Sequence, residues 1–64
     1  MKFRVGQKVE STFPYTRGEI GVVVVVKEYG CYVKGFSSGT AVGDNVYSYD
    51  FQFLKPLKIK IHKR

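Results

Sequence analysis

Five consecutive valines, residues 22–26, constrain this chain more than any other feature. Side chains branched at Cβ are stiff about χ1 and crowd a helix, whereas a pleated surface accepts them well. With Ile20 and Gly21 they form an apolar run over residues 20–26, far short of the roughly 18 residues that a membrane-spanning helix needs. The pattern predicts a strand over residues 19–27, central in its sheet. A continuous apolar run further predicts cover on both faces, as when one long bent strand serves both halves of a small barrel.

The Val, Tyr and Phe content favours strands and glycine punctuates the chain at positions 6, 18, 21, 30, 35, 39 and 43, so no stretch reads as a long helix. A first strand is predicted over residues 8–12. It ends in a loop over 13–18, where Pro14 cannot donate to a ladder. Glu28-Tyr29-Gly30 reads as a hairpin turn with Gly30 at positive φ, and residues 31–36 as the returning strand. Residues 37–45 are small, turn-forming and aperiodic, and are expected to be irregular and mobile. A fourth strand over 46–49, a single helical turn over 50–53 capped by Asp50, and a fifth strand from Leu54 complete the reading. Pro56 marks that last strand as an edge. The prediction is an all-β, five-stranded antiparallel barrel over residues 1–57, followed by a basic segment over 58–64.

Sixty-four residues make one domain with a thin core, and a hydrophobic content of 44% separates it from disordered chains. The net charge of +6 is unevenly placed. Residues 1–54 carry six basic and five acidic side chains, so the barrel is nearly neutral. The last ten residues hold Lys55, Lys58, Lys60, Lys63 and Arg64 with no acid, and any electrostatic partner is expected to meet that end first. Cys31 is the one cysteine, which excludes an internal disulfide and a thiolate zinc cage and fits a reducing cytoplasm. Nothing apolar follows the first charged residues, so neither export nor membrane insertion is expected.

The stretch Gly18-Glu19-Ile20-Gly21-Val22-Val23, a hairpin, and then Tyr32-Val33-Lys34-Gly35-Phe36 resembles the KOW motif of transcription-elongation and ribosomal proteins. With Val5-Gly6-Gln7-Lys8-Val9 before it and Tyr47-Ser48-Tyr49-Asp50-Phe51-Gln52-Phe53-Leu54 after it, the order is similar to small Src-homology-type barrels, some of them encoded by bacteriophages. The resemblance spans about residues 5–57. It implies close backbone approach at Gly18 and Gly21, with Val23 and Val33 pointing inward. KOW domains that bind RNA carry basic side chains beside the glycines, whereas here Arg17 is followed by Glu19. Barrels of this kind serve nucleic-acid binding, docking on polymerases or ribosomes, and peptide recognition alike, so the fold does not choose among them.

Catalysis requires a nucleophile or an acid–base pair held in a pocket, and the chain offers one histidine, one cysteine and five scattered carboxylates. Cys31 opens an apolar strand and reads as a core residue, and His62 lies in the charged end as a solvated one. No metal-ligand spacing exists, and no enzymatic activity or cofactor is expected.

Two features point to binding. Residues 57–64 alternate, so on a strand Ile59 and Ile61 face one way and Lys58, Lys60 and His62 the other, with Lys63 and Arg64 beyond. Such a ribbon suits a phosphate backbone, or equally guards a sheet edge against aggregation. Ten aromatics exceed what a small core hides. The five phenylalanines are assigned to the core. Tyr47 and Tyr49 share one face of a strand, and Tyr15, Tyr29 and Tyr32 come from the first loop and the hairpin, offering a stacking platform or a peptide groove. The expectation is therefore a monomeric, non-enzymatic module. It would contact nucleic acid, or a nucleic-acid-bound machine, through Lys58, Lys60, Lys63, Arg64, Arg17, Tyr47 and Tyr49. The alternative is a protein-interaction module, a docking subunit or an inhibitor, using Tyr15, Tyr29 and Tyr32.

Overall fold

The computed structural model describes residues 3–57. They form one antiparallel sheet of six strands: β1 (Lys8–Ser11), β2 (Ile20–Val26), β3 (Gly30–Lys34), β4 (Thr40–Gly43), β5 (Val46–Asp50) and β6 (Leu54–Pro56). The spatial order is β4-β5-β3-β2-β1-β6. Two 3-10 turns, Pro14–Thr16 and Phe51–Phe53, join β1 to β2 and β5 to β6. Among the described residues no helix is long and apolar enough to cross a membrane.

The expectation of five strands is corrected to six, in a sheet that stays open between β4 and β6. The additional strand, β4, lies inside the segment read as irregular. It folds back on β5 through Asp44 and Asn45, and Asn45 takes the left-handed conformation (φ 57°) that asparagine tolerates. All four β4 residues are exposed, so no alternation of apolar and polar side chains announces the strand.

Chain geometry requires this sheet to curl. β5 and β6 stand four strand spacings apart in sheet order, about 19 Å in a flat sheet. The chain from Asp50 to Leu54 reaches at most about 14 Å when extended, and less through a 3-10 turn. The sheet therefore rolls β6 back towards β5, and the side chains on its concave side meet in one cluster. Phe3, Val9, Val23, Cys31, Val33, Phe36, Tyr49 and Leu54 are buried there. Phe13, Phe51 and Phe53 pack half-buried against them, and Phe51 stacks on Phe3 at 5.7 Å between centroids. Val23 and Val33 point inward, as expected.

β2 is central, and the two faces of the valine run are covered unequally, the outer one only in part. Gly21 and Val23 face in, whereas Ile20, Val22 and Val25 face out and are exposed. A bulge between Val23 and Val25 shifts the register by one residue, pairing Val25 with Tyr32 and Val26 with Cys31. Without that extra residue Val25 would point into the core beside Val23. With it, Val26 takes the inward position and packs against the core.

Gly30 is also corrected. It is not at positive φ, and it opens β3 fully buried rather than closing the turn. A side chain there would strike the carbonyl of Tyr49 on β5, so glycine is required by close backbone approach. Gly21 is of the same kind, with a Cβ position 2.9 Å from the Lys34 carbonyl oxygen.

Candidate functional site

The ends of several elements converge on a cleft of about 320 Å³. Phe13, ahead of the first 3-10 turn, and Phe53, in the second, form one wall. Tyr29 stands on the other side at the tip of the β2–β3 hairpin, and Gly39 and Thr40 lead into β4 below it. Ser48, Tyr49 and Asp50, the last turn of β5, complete the lining.

The rings do not form a flat platform. Phe13 meets Phe53 edge-on at 4.9 Å with 80° between planes, and meets Tyr49 at 5.8 Å with 74°. Such T-shaped contacts favour the ring quadrupoles and lock the side chains into a concave corner. Tyr29 is 60% exposed and leaves the wall at the rim. Among the described residues Asp50 supplies the cleft's one charge. Its Oδ1 accepts the Gln52 backbone N–H at 3.1 Å, so it caps the second 3-10 turn as the sequence predicts while its carboxylate stays exposed. Among the described residues no lysine or arginine lines the cleft.

A hydrogen-bond relay fixes the floor. The Tyr49 hydroxyl donates to the Ser38 carbonyl at 2.6 Å, and a carbonyl can only accept. The Thr16 hydroxyl, 2.7 Å away, must then donate to Tyr49. The Ser11 hydroxyl, at 2.6 Å, must donate to Thr16, and it accepts the Phe13 N–H at 3.1 Å. Every hydroxyl in the row gives one proton and takes one, which is why buried Ser11 and Thr16 are tolerated. From the other side the Glu19 carboxylate accepts both the N–H (2.8 Å) and the hydroxyl (2.6 Å) of Ser37. Glu19, the departure from the basic KOW pattern, thus anchors the segment leading into β4.

The tyrosines separate into different roles. Tyr47 and Tyr49 do share a face, but it is the inward one. Tyr49 is 4% exposed and joins the core, and Tyr47 is half-buried against it. Tyr32 faces outward, half-buried, with the Lys27 ammonium 5.3 Å from its ring centroid, so the chain's own cation occupies that ring. Tyr15 is 84% exposed beside Phe13, their centroids 5.7 Å apart. Arg17 is exposed outside the cleft lining. Lys58, Lys60, His62, Lys63 and Arg64 lie outside the described residues. Lys55, the first cation of the basic end, pairs with Glu10 across the β1–β6 ladder at 3.8 Å.

Phe13 and Phe53 are the site residues that sequence reasoning misses. A phenylalanine on either side of a turn looks like core in sequence, and the curl of the sheet brings two such turns together. Cys31 is buried, and burial pushes its thiol up from the ordinary value of 9.0. Among the described residues no three His, Cys, Asp or Glu side chains cluster as metal ligands. No protein-family model matches the chain, nor does any curated protein or solved structure.

Proposed function

We propose that this chain is a non-enzymatic protein-interaction module that takes an extended peptide segment of a partner in the cleft between Phe13, Tyr29 and Phe53. One observation carries the reading: the cleft is walled by aromatic rings and, among the described residues, its single charge is negative. A phosphate backbone needs cations at the contact, and base stacking needs a flat, open ring. A peptide needs a concave apolar corner with polar groups at the rim, here Thr40, Ser48 and the Tyr29 hydroxyl. The order of pairings, with the last strand beside the first, supports a barrel of the Src-homology or KOW type. A cytoplasmic monomer fits the single reduced cysteine.

Nucleic-acid binding is the second reading, and it rests on the basic end, with five cations and no acid in the last ten residues. The two readings use different parts of the chain and are separable. The test is fluorescence anisotropy of the 64-residue chain with peptides selected against it from a random display library, and with single- and double-stranded DNA and RNA oligonucleotides. Tyr29→Ala should weaken the selected peptides at least tenfold and leave any oligonucleotide binding unchanged, whereas deletion of residues 58–64 should act only on oligonucleotides. Oligonucleotide binding that is lost with Tyr29→Ala, with no selected peptide depending on Tyr29, would assign the cleft to nucleic acid instead.

A further inference from the structure

We infer that the group the cleft receives is a cationic side chain, an arginine or a lysine, carried by the partner's peptide segment. The inference rests on the cleft being a peptide site and adds the chemistry of its occupant.

Three observations carry it. The aromatic faces carry the negative part of the ring quadrupole, and Phe13 meets both Phe53 and Tyr49 at steep angles rather than in a stack, with Tyr29 also lining the cleft. A concave corner of this kind suits a compact cation at the end of a flexible stem better than a planar base. Second, Asp50 sets a carboxylate at the cleft, and among the described residues no lysine or arginine pairs with it. Asp50 is the one charge that the described residues set at the cleft, so an incoming cation meets attraction from them and no repulsion. Third, about 320 Å³ accommodates one or two long side chains rather than a whole strand, so specificity falls on a single residue of the partner. The chain already makes one contact of this kind for itself, Lys27 over Tyr32 on the outer face.

The test uses two-dimensional amide spectra of the whole 64-residue chain, titrated with acetylated and amidated pentapeptides Gly-Ala-X-Ala-Gly, where X is arginine, lysine, citrulline or norleucine. The arginine and lysine peptides should shift the amides of Tyr29, Gly39, Thr40, Ser48 and Asp50, with affinity about tenfold above norleucine. Asp50→Asn removes the charge but keeps a side-chain oxygen able to cap the 3-10 turn. It should erase most of that preference while leaving the spectrum folded. Norleucine or citrulline binding in the cleft as tightly as arginine would overturn the cation inference and leave the peptide reading standing. Shifts confined to residues outside the cleft, with no peptide reaching it, would overturn both.

Discussion

Thr16 and Tyr49, thirty-three residues apart, meet hydroxyl to hydroxyl at 2.7 Å beneath the cleft. That contact ties the first loop to β5, and through the Ser38 carbonyl to the approach to β4. Tyr49→Phe leaves the buried Thr16 hydroxyl without its acceptor, at a cost of about 1–3 kcal/mol in urea denaturation. Thr16→Val should cost about as much. The double variant should cost less than the two singles together, by at least about 0.5 kcal/mol, because Tyr49→Phe strands the Thr16 hydroxyl only while that hydroxyl is present. Strict additivity would show that the hydroxyls act separately.

Gly30 and Gly6 predict opposite scales of damage. A Cβ at Gly30 strikes the Tyr49 carbonyl, which belongs to the paired backbone of β5 and cannot turn aside. Gly30→Ala should cost about 3 kcal/mol or more, enough to unfold much of a domain this small. Gly6 has nothing within 4 Å but sits at φ +90°, so Gly6→Ala carries only backbone strain of about 1–2 kcal/mol. Circular dichroism during urea titration ranks the two.

Neighbouring valines should differ as sharply. Val23 is fully buried, and Val23→Ala removes two methyl groups and leaves a cavity, costing about 2 kcal/mol. Val22 faces out on the same strand, and Val22→Thr should change stability by no more than about 0.5 kcal/mol. Equal losses at both sites would contradict the strand alternation that turns Val23, paired with Val33, inward and Val22 outward.

Cys31 makes an alkaline prediction. Its folded thiol ionises above 9.0 because burial disfavours the thiolate. The folded state therefore keeps this proton at pH values where the unfolded state has already lost it. The contribution is complete below about pH 9 and declines as pH rises from there through the folded value. Urea midpoints measured between about pH 7 and pH 10.5 should fall more steeply for the parent than for Cys31→Ala. A thiol-specific reagent should react with native protein only as fast as it opens.

What the sequence determined were features whose causes are local. Valine stiffness placed β2, Pro14 fell in a turn, Pro56 fell on the outermost strand β6, and Asp50 capped the turn after β5 because its side chain reaches two residues ahead. The inward direction of Val23 and Val33 followed from strand alternation. Tertiary structure decided the rest. β4 exists because β5 offers it a partner, and four exposed residues leave no hydrophobic pattern to read. The bulge at Val24 reversed the faces of Val25 and Val26, and a one-residue shift has no composition. Gly30 is glycine because of a carbonyl nineteen positions away on β5, a contact that no local rule contains. The cleft arose the same way. Phe13, Tyr29 and Phe53 belong to three separate turns, and the short connection from β5 to β6 curls the sheet until those turns share one corner.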